Sequence, residues 1–580
     1  MKRKKHVYGI LTAIMVLSAF LRLWGVTFGL PHIFYIDSTK ITKRAKHIAH
    51  NILSNRWDID PKFYQYPTFF TNLLAAEYIA YGLGYGIVTS LTGKHETMRE
   101  AIDTLFRKAN PAYKYDPYPP VFYLIARLNN VLAGVLTVLL IFFLSKIAFD
   151  DDDRIALLSA FFLSVMFLHV KHSKYPMADV ILGFWTVAAM IYIVRMSTRV
   201  DLYDYLFAGL CIGFGTSTKY LTIFLLPSFL LNVVYQRWRN RKDDIIARKI
   251  VTFGLLGLLM VPMGFLIGTP TFLTYPHRYM QRAAGEYRGM GSAERGGKYG
   301  NTQRGFLDYF FNSQPSWFEP HTINSLWGAM GAPLLIVVSM AFIYFIYIAT
   351  DTKREDYILY WDFLLFLILF YFFLAGAGKN RIVRYFVIAV PFMAVMASKF
   401  LVDMIDRIPG AWVKRHTNLL LFAVALSLAF PTTLRAVRYN HLMTHTNNRV
   451  IAGRWIEEHI PKGSKLWMPI LYPPCVSADE YAITFYRSQQ KKAEGVVPYK
   501  KLKEQGFDYI ILSSYDYGPA YSKEALDDYP EGTKAMLQFY KEAEENAPWS
   551  KIFESNLVDI PGPTIKIFKV SKEPPRQDGN

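Results

Sequence analysis

Two carboxylates and six basic side chains sit where a chain built of apolar runs should carry neither. Asp37 lies in Pro31-His32-Ile33-Phe34-Tyr35-Ile36-Asp37-Ser38, and Asp179 in Lys174-Tyr175-Pro176-Met177-Ala178-Asp179. Lys171, Lys174, Lys219, Lys379, Arg381 and Arg384 occupy three short turns between apolar segments. A carboxylate beside an acceptor hydroxyl or amine can take its proton as general base. Lys and Arg give charge-assisted contacts to phosphate oxygens, and they stabilise the charge that develops on a phosphate leaving group. Each acid alone is equally well explained as a cap, Asp37-Ser38 for a helix Thr39–Leu53 and Asp179 for the run that follows it. Any single lysine is explained by snorkelling to the headgroups. Three basic turns together favour one convergent anionic ligand, a phosphate or pyrophosphate at a membrane surface.

The elements that must position these residues are membrane spans. The 580 residues are 52% hydrophobic and only 19% charged, with a formal net charge of +19 and two cysteines, Cys211 and Cys475. That composition excludes intrinsic disorder and a disulfide framework. The basic excess punctuates apolar segments instead of forming one stripe, so nucleic acid is not the expected partner. A span needs about 20 apolar residues. Candidates are Val7–Phe28, Val121–Ile147, Ile155–Val170, Val180–Val194, Leu206–Gly215, Tyr220–Tyr235, Ile250–Gly268, Gly328–Ile348, Tyr357–Ala375, Tyr385–Val402 and Leu419–Leu434. The first follows Lys2-Arg3-Lys4-Lys5 and reads as an uncleaved span. Tyr66–Val88 is apolar but carries Glu77, glycines and tyrosines, which suits an interfacial or re-entrant helix. If it does not cross, the basic amino terminus and the turns at Lys146/Arg154, Arg195/Arg199, Arg237–Lys249, Lys353/Arg354 and Lys399–Arg415 share the inner side, as the positive-inside rule requires.

The expected fold is an α-helical polytopic membrane protein with about 11–13 transmembrane helices and a small carboxy-terminal extracytoplasmic α/β domain. Residues 1–436 form the membrane domain, with outer loops at 29–120 and 269–327; residues 437–580 form the outer domain. In the latter a helix is expected at Asn448–Ile460 and short strands at Ser464–Ile470, Tyr509–Ser513 and Thr564–Val570. The glycines of Gly285–Gly305 suit either a solvated loop or a lid over the site. Asp150–Asp153 reads as a solvated inner turn, and His169 as structural.

The order and spacing of these residues resemble the polyprenyl-phosphate-sugar-dependent glycosyltransferases of the GT-C superfamily. The resemblance is closest to glycosyltransferase family 39, which includes protein O-mannosyltransferases and aminoarabinose transferases. Matching segments are Gly29-Leu30-Pro31, Asp37-Ser38, Asp60-Pro61-Lys62-Phe63-Tyr64-Gln65-Tyr66-Pro67, Ser173-Lys174-Tyr175 through Asp179, Ser217-Thr218-Lys219-Tyr220 and Arg384-Tyr385 through Pro391. In the tail, Arg454-Trp455-Ile456 through Ile460-Pro461-Lys462-Gly463 resembles the start of the family's outer domain. One departure is Ser38, where the family's second acid would stand.

The resemblance implies inverting transfer of a sugar from a polyprenyl-phosphate donor to a protein, lipid or glycan acceptor. Asp37 would be the base and Asp179 would orient the acceptor or a nearby cation. Lys219 and Arg384, with Lys174, would hold the donor phosphate. Tyr35, Tyr64, Tyr66, His172 and Tyr175 are candidates for the acceptor pocket. A monophosphate donor demands no metal, and no metal-ligand spacing is visible, so no obligatory cofactor is expected, with a divalent cation left as an option. Membrane lipids are expected neighbours. The implied location is the cell (inner) membrane, with the amino terminus cytoplasmic. Two other classes stay open: a lipid-phosphate-sugar transporter or flippase, and a membrane anchor presenting the carboxy-terminal domain for binding.

Overall fold

The computed structural model describes residues 2–34, 36–107, 119–291, 315–316, 319–323, 325–354, 356–376, 383–470, 472–477, 479–486, 496–521, 530–556 and 558–570. For residues 2–4, 36–38, 107, 285–291, 315–316, 319–323, 373–376, 516, 519 and 520 the description covers backbone only. Apolar runs and shorter amphipathic segments alike become helices: α1 (Lys2–Leu23), α2 (Ile36–Leu53), α3 (Phe69–Leu91), α4 (Met98–Arg107), α5 (Pro120–Ala148), α6 (Asp153–Val165), α7 (Phe167–His172), α8 (Ala178–Thr198), α9 (Leu202–Thr218), α10 (Leu226–Arg239), α11 (Asp244–Gly268) and α12 (Pro276–Gly291). After a hairpin of β1 (Pro315–Ser316) and β2 (Glu319–Ile323) come α13 (Leu326–Met330), α14 (Ala332–Ala349), α15 (Tyr357–Gly376), α16 (Val390–Asp406) and α17 (Ala411–Leu442). Among the described residues six helices are long and apolar enough to cross a membrane: α1, α5, α8, α11, α14 and α17.

Four of the expected spans are broken where backbone groups need an outside partner. The run Ile155–Val170 divides at Met166 into α6 and α7. The fully buried Arg22 answers this break, donating to the carbonyls of Ser164 at 3.0 Å and Leu163 at 3.2 Å and meeting His169 Nδ1 at 2.9 Å. On the other side, the Phe167 amide donates to Thr432 Oγ1 of α17 at 2.8 Å. Unpaired backbone groups in a bundle core cost several kcal/mol each, so these side chains are what makes the break tolerable. The run Gly328–Ile348 divides at Gly331, whose φ of +80° suits glycine. Tyr220–Tyr235 and Tyr385–Val402 each begin as a 3₁₀ turn and become α-helical at a proline in the first turn, Pro227 and Pro391.

Helices α9 and α11 approach backbone to backbone. A Cβ on Gly209 would stand 1.9 Å from the Gly257 carbonyl oxygen, and one on Gly213 would stand 2.4 Å from that of Val261. Small residues allow such approach where lipid supplies no hydrophobic drive between helices. Helix α3 packs against α2 and α4. Its start, Thr68 and Asn72, bonds the carbonyl of Gly268 at the end of α11, and Tyr78 donates to the Phe122 carbonyl at the start of α5 at 2.6 Å. Helix α3 therefore lies across two helix ends.

Beyond α17 the chain forms α18 (Asn448–His459), β3 (Lys465–Pro469), β4 (Ala482–Tyr486), α19 (Tyr499–Glu504), β5 (Tyr509–Ser513), α20 (Pro530–Asn546), β6 (Trp549–Phe553) and β7 (Ile565–Lys569). The sheet order is β4-β3-β5-β7-β6, with β3 parallel to β4 and β5 and with β7 antiparallel to β5 and β6. Period-two alternation gives each face its own core. Leu466, Met468, Ile511 and Ile567 meet Ile456 of α18, while Trp467, Ile510 and Phe568 meet Phe539 and Tyr540 of α20. The expected helix and three strands are present within a residue or two of their anticipated bounds. Strands β4 and β6 and helix α20 were not anticipated.

Candidate functional site

Three helix ends converge because their polar backbone termini share partners. The Thr68 amide donates to Thr269 Oγ1 at 3.1 Å, and Thr269 Oγ1 pairs with Ser217 Oγ at 3.0 Å. These contacts tie the entry of α3 to the exits of α9 and α11, which sets Tyr66 beside Lys219. Lys219 ends α9 in an extended conformation, φ −161°. Its ammonium donates to Asp179 Oδ1 at 2.7 Å and lies 4.8 Å from the Tyr385 ring centre and 5.5 Å from that of Tyr66. Arg384 Nε stands 3.7 Å from Asp179 Oδ2, and its Nη1 donates to Met177 Sδ at 3.4 Å.

Asp179 sits in the first turn of α8 without capping it; the cap residue is Met177, and no side chain caps there. The carboxylate is spent on Lys219 and Arg384 instead. All three side chains are almost wholly removed from solvent. Burial opposes the Lys219 ammonium, but the Asp179 carboxylate together with the Tyr66 and Tyr385 phenols more than offsets it, and the Lys219 pKa stands above its ordinary value. Burial also pushes the Tyr66 phenol up to about 12, so its hydroxyl stays protonated at neutral pH. A small cavity opens beside this cluster, lined by Asp179, Lys219, Tyr66 and Met177 and by Lys40 and Ile41 of α2. Among the described side chains, Lys40, Lys219 and Arg384 set three cations against the one carboxylate of Asp179, a field that favours an anion.

Asp37 falls in the first turn of α2, which starts at Ile36, three residues before the expected Thr39. Its side chain lies outside the described residues, as do Tyr35, Lys379 and Arg381. By position, Lys40 and Ile41 share its helix face at i+3 and i+4, and both line the cavity. Lys40, Ile41, Met177 and Tyr385 were not singled out from sequence. The i+3 spacing from Asp37 was the available signal for Lys40.

Other candidates go elsewhere. Lys174 is fully buried, its ammonium donating to the Trp24 carbonyl at 2.6 Å and to Asn440 Oδ1, so it does not reach the cavity. Lys171 is buried against the Tyr439 ring, 5.7 Å from its centre. The Tyr175 hydroxyl bonds that of Tyr439, and His172 packs on Tyr175 with ring centres 5.9 Å apart. Tyr64 donates to Asp60 Oδ1 at 2.6 Å and accepts from Arg278 at 2.8 Å, joining the loop before α3 to α12. Arg127, a span-end charge in the sequence, donates to the carbonyls of Val26 and Phe28 and lies over the Phe28 ring at 4.1 Å. Among the described residues no three His, Cys, Asp or Glu side chains gather as a metal site.

Residues 102–278 match the family model of the dolichyl-phosphate-mannose-protein mannosyltransferases. No curated protein matches the chain. Among solved structures, the Archaeoglobus fulgidus oligosaccharyltransferase in the apo form is similar at a TM-score of 0.51 and 13% identity, over 90% of this chain and 72% of that one. The same enzyme tethered to an acceptor peptide with the NVT sequon gives 0.50 and 14% identity, over 91% and 72%. Cupriavidus metallidurans ArnT bound to undecaprenyl phosphate gives 0.46 and 12%, over 97% and 98%. The chain thus shares the fold of the Archaeoglobus fulgidus enzyme, with residues 102–278 similar in sequence to the dolichyl-phosphate-mannose-protein mannosyltransferases.

Proposed function

We propose that the protein is an integral membrane glycosyltransferase that moves a sugar, with inversion, from a polyprenyl-phosphate donor to a protein, lipid or glycan acceptor. The carrying observation is the cavity lined by Asp179, Lys219 and Lys40, with Arg384 beside Asp179 and Lys40 one helical turn after Asp37 on α2. Asp37 takes the proton of the acceptor hydroxyl or amine as that atom attacks the anomeric carbon. The bond from that carbon to the phosphate oxygen breaks, and the polyprenyl phosphate leaves with the electron pair. Lys219 and Arg384 stabilise the charge on the departing phosphate, and Asp179 holds both cations in place. Tyr66 offers a protonated hydroxyl to the substrate. Lys174, with Tyr175, props the turn that carries Asp179. The reaction faces the outer side of the cell membrane, where the carboxy-terminal domain also lies, and the amino terminus is cytoplasmic. No obligatory metal enters the scheme.

The test is transfer of labelled sugar from polyprenyl-phosphate donors by purified protein. Removing a general base costs about 10²–10⁴ in rate, so Asp37→Asn should lose at least about a hundredfold in kcat while still binding donor. Turnover that Asp37→Asn leaves unchanged would overturn the assignment of the base. Donor binding with no turnover in the wild type would overturn the enzyme reading.

A further inference from the structure

The last span and the first helix of the carboxy-terminal domain reach both acid-bearing segments within eleven residues of chain. From α17, the Tyr439 hydroxyl bonds Tyr175, Asn440 Oδ1 accepts from Lys174, and Asn440 Nδ2 donates to the Leu21 carbonyl at 2.7 Å. These contacts fix the turn that carries Asp179 and the exit of α1. Arg449, in the first turn of α18, then places its guanidinium carbon 4.8 Å from the centre of the Phe34 ring. Phe34 is three residues before Asp37. Its ring covers Gly29, where a Cβ would stand 2.5 Å from Phe34 Cδ2, and it stacks on His32 with centres 6.1 Å apart.

Arg449 is itself held firmly. It is 2% exposed, its Nε donates to the Pro473 carbonyl at 2.7 Å, and its amide donates to the capping Asn447 side chain at 3.0 Å. Next to it, Asn448 Nδ2 donates to the carbonyls of Phe553 at 2.6 Å and Pro563 at 2.8 Å, which anchors the start of α18 to the sheet. The ring of Phe34 therefore rests on a cation whose backbone belongs to another folded unit.

We infer that Arg449 is a positioning residue: through Phe34 it sets the entry of α2, and so the place of Asp37 relative to the cavity. The inference rests on the reading of Asp37 as base, yet its structural half is testable without turnover. Hydrogen exchange over residues 36–45 of the full-length protein in detergent would be compared among wild type, Arg449→Gln, Phe34→Leu, the double variant and Arg449→Lys. A desolvated cation–π contact predicts roughly tenfold faster exchange in each single variant, no further gain in the double variant, and partial recovery in Arg449→Lys. Strand β3 and helix α18 should keep their protection. In the transfer assay, Arg449→Gln should lower kcat with donor KM held. Unchanged exchange at 36–45, acceleration spread through β3, or additive single effects would each overturn the proposal. A wild type without turnover would sink the transferase reading and leave the exchange comparison to decide this one.

Discussion

Asp179 and Lys219 form a pair whose two ends carry different consequences. Breaking a buried ion pair by removing one partner costs about 3–5 kcal/mol, whereas replacing both with apolar groups is close to neutral. Asp179→Ala should therefore lower the thermal midpoint in detergent, and adding Lys219→Met should recover much of the loss. An additive double variant would show that the pair is not coupled. Lys219→Met alone should raise the donor KM about ten- to a hundredfold, the value of one charge-assisted contact, with a smaller change in the acceptor KM. These residues were legible in the sequence because they defy topology: a lysine or arginine in an outer turn needs a reason beyond orientation. The same reasoning picked Lys174, and the structure spends that ammonium on Trp24 and Asn440. Asn440 lies 266 positions away in sequence, and nothing local distinguishes a lysine that props a turn from one that faces a ligand. Met177 and Ile41 stayed illegible for the complementary reason, since an apolar residue beside a cavity looks like any other apolar residue.

Helices place these side chains through contacts that leave unequal marks in sequence. Apolar length reveals the runs, and Pro227, Pro391 and Gly331 reveal where their helical geometry changes. The break at Met166 has no proline or glycine to announce it. It exists because Arg22 and Thr432, each remote in sequence, satisfy the freed backbone groups. The close seam of α9 and α11 is written in glycines, but its register is tertiary. That seam fixes where α9 ends, hence where Lys219 stands. Gly209→Leu must force the helices apart, because even a Cβ would meet the Gly257 oxygen at 1.9 Å. Overpacking of this kind costs about 1–3 kcal/mol, so the variant should melt earlier and bind donor less well. Gly84→Ala is the control: nothing lies within 4 Å of its Cβ position in α3, and the better helix former should hold or raise stability by up to about 1 kcal/mol. Equal destabilisation by both would mean that the loss is not specific to the seam.

The whole chain turns on which side of the membrane each end of α3 occupies, since parity assigns the side of every later turn. Its contacts argue that it lies along one surface. Thr68 and Asn72 meet the end of α11 at Gly268, and Tyr78 meets the start of α5 at Phe122. With the amino terminus inside and α3 not crossing, both of those helix ends are outer ends. Glu77, which accepts from Asn129 at 2.6 Å, then sits near the interface instead of the bilayer centre, where a carboxylate costs at least about 2.5–3.5 kcal/mol. The arrangement also keeps Lys40, Asp179, Lys219 and Arg384 on one face with the carboxy-terminal sheet, as the contact of Arg449 with Phe34 requires. Both native cysteines are buried, which makes orientation measurable. In a Cys211→Ala, Cys475→Ala background, single cysteines would replace four exposed residues: Arg56 before α3, Lys94 after it, Arg241 between α10 and α11, and Lys551 on β6. A membrane-impermeant thiol reagent added to intact cells should label Arg56→Cys, Lys94→Cys and Lys551→Cys and spare Arg241→Cys until the cells are permeabilised. Labelling of Arg56→Cys without Lys94→Cys would mean that α3 crosses. The later turns would then change sides, Lys219 and Arg384 with them, and the candidate site could no longer be one surface of the membrane.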